Sequence, residues 1–172
     1  MMVDFVSALE YNIIRHIELR ITMKQVLKFK SKKKHYKADV CLVWCFDDRF
    51  TGLLGELNKF GFKNVDLVKV AGGAMGLTGR GSAGNDNAIN YIADQVEKSI
   101  KLHGTPLVIL MVHTDCGAYK AIGLPVKGES EVELLREDLK SAKEELFRYL
   151  ARKEHWPMIK TYLVDFEGLW EV

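Results

Sequence analysis

A chain of 172 residues that is 48% hydrophobic and 28% charged has the size and balance of one ordinary globular domain; it is too short for two full enzyme domains and too apolar for a disordered or fibrous protein. A net charge of +2 is too mild to imply a nucleic-acid partner, and no apolar run approaches the roughly eighteen residues of a membrane span. The opening Met1-Met2-Val3-Asp4, with Glu10 soon after, lacks the basic flank and apolar stretch of a secretory signal, so a cytoplasmic location is expected. In that reducing compartment the three cysteines read as metal ligands or core residues before they read as disulfides, a Cys45 to Cys116 bridge being the rival.

In chain order, Phe5, Leu9, Ile13, Ile17 and Ile21 give residues 4–24 partial helical spacing. Lys28, Lys30, Lys32, Lys33, Lys34 and Lys37 follow, with His35, and read as a solvated linker, since no nucleic-acid motif accompanies them. Residues 1–37 are therefore assigned to an N-terminal helical arm and basic linker, and residues 38–172 to a single domain.

Residues 40–45 form a short, continuous apolar run, the pattern of a strand buried on both faces of a parallel sheet. Phe50, Leu53, Leu54, Leu57 and Phe60 then recur at helical intervals up to Gly61. A second strand is predicted over 65–70, followed by a glycine-rich stretch and a helix capped by Asp86 with Ile89, Ile92, Val96 and Ile100 facing inward. The third strand spans 107–112. Ser130-Glu131-Val132-Glu133 has capping-box form and opens a long helix through Leu135, Leu139, Leu146 and Leu150. A fourth strand over 159–164 and a possible edge strand over 169–172 complete an α/β fold: an open, mostly parallel sheet with helices on both faces.

Two stretches carry the chemistry. Val43-Trp44-Cys45-Phe46-Asp47-Asp48-Arg49 closes the first strand and Val112-His113-Thr114-Asp115-Cys116-Gly117 closes the third. Ligands bind beyond the carboxyl ends of parallel strands where connections diverge, and adjacent strands lie about 4.8 Å apart, so the two stretches can share one ion. Zinc takes thiolate and imidazole together, and a catalytic zinc keeps three protein ligands and one open position; Cys45, His113 and Cys116 would be those three. Two thiolates neutralise the ion, so its water needs help: Asp47 can orient it, and Arg49 can hold Asp47 by a bidentate pair.

Cys45-Phe46-Asp47-Asp48-Arg49 and His113-Thr114-Asp115-Cys116-Gly117 resemble the Cys-x-Asp-x-Arg and His-x-x-Cys-Gly motifs of the β-class carbonic anhydrases, from about Val40 through the fourth strand. The resemblance implies a sheet of order 2-1-3-4 and reversible hydration of carbon dioxide to bicarbonate by attack of zinc-bound hydroxide. It also implies a homodimer or higher homo-oligomer, with the N-terminal arm packed on the partner. Asp47 would be a fourth zinc ligand if Arg49 released it. The chain departs from the family at Lys69-Val70, where Arg-Asn is usual, and only Gln25 and Gln95 are present where many members place a glutamine near substrate.

Other readings keep the fold or the motif. Carbonyl sulfide or carbon disulfide is open to the same nucleophile, and a non-catalytic zinc protein needs only the ligands. Residues 79–84 match G-x-G-x-x-G, but the first glycine falls nine residues after the second strand, which disfavours a dinucleotide site. Cys41 reads as a buried core thiol, and His16, His35, His103 and His155 as surface or core histidines.

Overall fold

The computed structural model describes residues 24–31, 33–80 and 86–172. The chain divides into two units, Met1–His35 and Tyr36–Val172. In the first, the described residues form neither helix nor strand, and Val26, Leu27 and Phe29 stand exposed among the lysines. The expected helix over 4–24 lies outside the described residues except for Lys24. So do Lys32, most of the G-x-G-x-x-G stretch and the capping side chain of Asp86.

The second unit contains β1 (Val40–Cys45), α1 (Leu53–Leu57), β2 (Val65–Val70), α2 (Asp86–His103), β3 (Leu107–His113), α3 (Gly117–Ala121), α4 (Gly128–Ala151), β4 (Met158–Val164) and β5 (Leu169–Glu171). The sheet order is β2-β1-β3-β4-β5, with β1 through β4 parallel and β5 antiparallel to β4. This is the expected open α/β sheet, and the edge strand is present. Asp165 shapes the final turn by accepting from the Glu167 and Gly168 amides at 2.8 and 2.7 Å.

The two central strands divide their side chains by parity. Cys41, Val43 and Cys45 of β1 join Val108, Leu110 and Val112 of β3 in one core, packed with Ile92, Val96, Leu135, Leu139 and Leu146 from α2 and α4. Val40, Leu42 and Trp44 join Ile109 and Met111 in a second core on the other face, with Phe50 and Leu57. Each such buried aliphatic side chain contributes about 1.5–3 kcal/mol. Every residue of β1 is buried, which is why its sequence shows no alternation.

Three local expectations change. The predicted helix from Phe50 to Phe60 is broken into the five-residue α1 between two 3-10 turns, Asp48–Phe50 and Asn58–Phe60. Gly52 and Gly55 weaken a continuous helix there, and the amides of Leu54 and Gly55 bond three residues back, to Thr51 and Gly52. Helix α4 begins at Gly128, so Ser130 lies inside the first turn instead of capping it. The predicted loop after His113 contains the short helix α3.

Among the described residues no helix is long and apolar enough to cross a membrane.

Candidate metal centre

The β1–β3 ladder runs only from Cys41↔Val108 to Val43↔Leu110. Beyond it the tight turn at Gly72 and Gly73, both at positive φ, enters between the strand ends. A Cβ on Gly73 would stand 2.4 Å from the Met111 carbonyl oxygen and 3.0 Å from the Cys45 nitrogen, so only glycine fits. Cys45 and His113 flank this opening at the carboxyl ends of β1 and β3, the place where connections leave for opposite faces.

Cys45, His113 and Cys116 are buried, and one ligand atom from each lies within 4.8 Å of the others. His113 Nδ1 donates to the Thr114 carbonyl at 2.8 Å, leaving Nε2 as the ligand nitrogen. That Nε2 is buried and, among the described residues, has no partner within hydrogen-bond geometry. An imidazole nitrogen so placed beside two thiols fits a metal ion, since a buried polar atom without a partner is otherwise rare. Phe50 packs on the imidazole with ring centroids 4.6 Å apart, and Trp44 stands at 6.0 Å.

The three groups act on one another's protonation. Proton sharing with the Cys116 thiol, aided by His113, pulls Cys45 far below an ordinary thiol despite its burial. The Cys45 sulfur and burial together push Cys116 up. Burial opposes charge on His113, yet the Cys45 thiolate and the Thr114 carbonyl outweigh it and raise its pKa. Metal binding replaces those protons. Both thiols are free, so the Cys45 to Cys116 disulfide is not formed, and Cys41, fully buried within β1, is pushed up to about 12 by burial.

Asp47 and Arg49 stand at the mouth. Arg49 Nε and Nη2 donate to the two carboxylate oxygens of Asp47 at 3.0 and 2.8 Å, the bidentate pair expected from the sequence. The Asp47 carboxyl is held down to about 2 by those bonds. Its Oδ2 lies 3.8 Å from His113 Nε2. Arg49 also donates to the carboxylate and the backbone carbonyl of Asp115, both at 2.8 Å, and its guanidinium lies over Phe166 at 5.5 Å.

Glu131 was absent from the sequence expectations for the site. Its carboxylate accepts the Asp115 amide at 2.7 Å from the first turn of α4, and the residue is 5% exposed. A buried glutamate in a capping-box pattern reads as a helix-end residue, so no sequence signal tied it to the His-x-x-Cys loop.

Lys69 bonds Thr51 Oγ1 at 3.2 Å, and Gln95 bonds Asp94 at 3.2 Å on α2. His103, read as a surface or core histidine, is half-buried and paired with Asp66 at 2.7 Å.

The fold is that of the β-carbonic anhydrases, and its Cys-His-Cys group is able to hold a metal. Similar solved structures include a β-carbonic anhydrase of Trichomonas vaginalis, 15% identical over 96% of this chain and 97% of that one, with a TM-score of 0.53. The β-carbonic anhydrase CafA of Aspergillus fumigatus is 16% identical over 96% and 88%, with a TM-score of 0.56. One of two tetrameric β-carbonic anhydrases of Sordaria macrospora is 10% identical over 80% and 81%, with a TM-score of 0.53. Among curated sequences the chain is similar to an uncharacterised protein of Rickettsia bellii, 28% identical over 86% of this chain and 92% of that protein. A second uncharacterised relative, from Rickettsia conorii, is 27% identical over 88% and 82%. No family model matches the chain.

Proposed function

We propose that this chain is a zinc enzyme of the β-class carbonic anhydrase type, hydrating carbon dioxide reversibly to bicarbonate. The observation that carries the reading is the buried Nε2 of His113, without a hydrogen-bond partner among the described residues, beside the thiols of Cys45 and Cys116. The bidentate Asp47 to Arg49 pair at its mouth adds the second element that this chemistry uses.

Cys45, His113 and Cys116 would hold the zinc. When bound, zinc would supply a water acidified far below bulk water, and hence a hydroxide nucleophile. Arg49 holds the Asp47 carboxyl down to about 2, so its carboxylate is ionised and could accept a hydrogen bond from the O–H of a nucleophile, directing the lone pair away from itself. Arg49 keeps Asp47 from turning to the metal ligands, where it would otherwise be a fourth donor. Phe50 and Trp44 fix the His113 ring, and the Thr114 carbonyl fixes its tautomer.

Two thiolate ligands require a reducing compartment, which favours the cytoplasm. A homo-oligomer is in keeping with the tetrameric relatives of the same fold from Sordaria macrospora. The test is zinc content per chain together with carbon dioxide hydration: one zinc and metal-dependent turnover support the reading, and a chain that binds no zinc defeats it.

A further inference from the structure

Asp115, between His113 and Cys116, has φ of 53°. A side chain disfavours this left-handed conformation, although Asp tolerates it better than most residues. Asp115 leaves the β3 ladder there, and each of its polar groups is met from elsewhere. Its carbonyl and carboxylate accept from Arg49, and its amide donates to Glu131 Oε1 at 2.7 Å.

Arg49 already belongs to the proposed machinery. Glu131 does not. It is the fourth residue of α4, and its side chain is turned inward, where burial raises its pKa against the pull of the Asp115 amide. An acid in a first helical turn is favoured by the helix dipole, but Glu129 enjoys the same position while remaining exposed. The dipole alone therefore does not account for a buried carboxylate. The bond to a loop sixteen residues away does.

We propose that Glu131 is a positioning residue of the metal loop. By accepting the Asp115 amide it holds the left-handed turn that sets His113 and Cys116 at the separation one ion needs. The inference rests on the metal reading above, and it is independent of carbon dioxide as substrate. What matters is an acceptor oxygen at this point, so glutamine serves and a side chain without an acceptor does not.

The test compares the wild-type protein with Glu131→Ala, Glu131→Met and Glu131→Gln. It reads zinc affinity by chelator competition and the ligand-field spectrum of the cobalt(II)-loaded protein, with circular dichroism to establish folding. Removing a group that orients metal ligands weakens binding roughly ten- to a hundredfold. That loss, with shifted cobalt bands, is expected for Glu131→Ala and Glu131→Met, while Glu131→Gln matches wild type in both readouts. The methionine variant fills the volume without an acceptor and decides the matter should the alanine variant not fold. Wild-type affinity and spectrum in the acceptor-less variants, or a glutamine variant as impaired as they are, would overturn the proposal. If the wild-type protein binds neither metal, the metal reading fails and takes this inference with it; if it binds both and the variants match it, only this inference fails.

Discussion

Arg49 holds Asp115 twice, through Nη1 to the carboxylate and Nη2 to the backbone carbonyl, each at 2.8 Å. The same guanidinium grips Asp47. One side chain therefore ties the stretch after β1 to the stretch after β3, and the planar fork of arginine is what permits it.

Asp47 is consequently held by Arg49, with its Oδ2 3.8 Å from His113 Nε2. Asp47→Ala should retain zinc, because Cys45, His113 and Cys116 remain. Turnover should fall on the order of 10²-fold, the scale of losing orientation at a reacting group. Zinc analysis paired with carbon dioxide hydration checks this, and full turnover in the variant would remove Asp47 from the mechanism.

Two thiolates cancel the double charge of a zinc ion, so water there gives up its proton at higher pH than it would beside three neutral imidazoles. Turnover should rise from acid toward alkaline pH. A profile of kcat from about one pH unit below to about two above the value near 7 at which a catalytic zinc's water titrates reads it directly; equal rates at both ends would count against the charge argument.

Gly73 is wedged against the Met111 carbonyl and the Cys45 amide. Gly73→Ala places a methyl group inside both contacts and at a φ of 57° that alanine disfavours. The cost should be roughly 2–4 kcal/mol, measured by urea unfolding, and zinc affinity should fall with it because the displaced atom is the backbone of a ligand. Gly61, also at positive φ but with no atom within 4 Å of its Cβ position, is the natural contrast.

At the opposite end of the strands, Asp66 accepts from Tyr36, Ser99 and His103 at 2.6, 2.6 and 2.7 Å. Burial opposes its ionisation, but the three partners outweigh burial and lower its pKa. A lowered carboxyl contributes stability that is present above its unfolded pKa of about 3.9 and is lost as pH falls through the folded value. The melting temperature of wild type should thus drop more steeply below about pH 4 than that of Asp66→Asn. Parallel slopes for the two would show that the cluster contributes nothing to acid stability.

The strands were legible because β1, and β3 as far as Val112, are apolar at every position, the pattern of strands buried on both faces. Cys45, His113 and Cys116 were legible for a related reason: each sits at or just after a strand end, so topology alone brings them together. Local context hid the rest. Gly52 and Gly55 interrupt an apolar spacing that otherwise reads as one helix, and Ser130 matches a cap but lies inside α4. Glu131 and the left-handed turn at Asp115 are partners across sixteen residues, and no periodicity encodes a bond between a side chain and a distant amide. The pairing of His103 with Asp66 was hidden for the same reason, since the two lie thirty-seven residues apart.

The central claim is tested most directly by stopped-flow hydration of carbon dioxide at alkaline pH on zinc-quantified protein, with Cys116→Ser as control. The account predicts turnover that scales with zinc and disappears in the serine variant. One zinc per chain with no turnover would contradict it, and would turn the search to sulfur analogues of carbon dioxide or to a zinc site without catalysis.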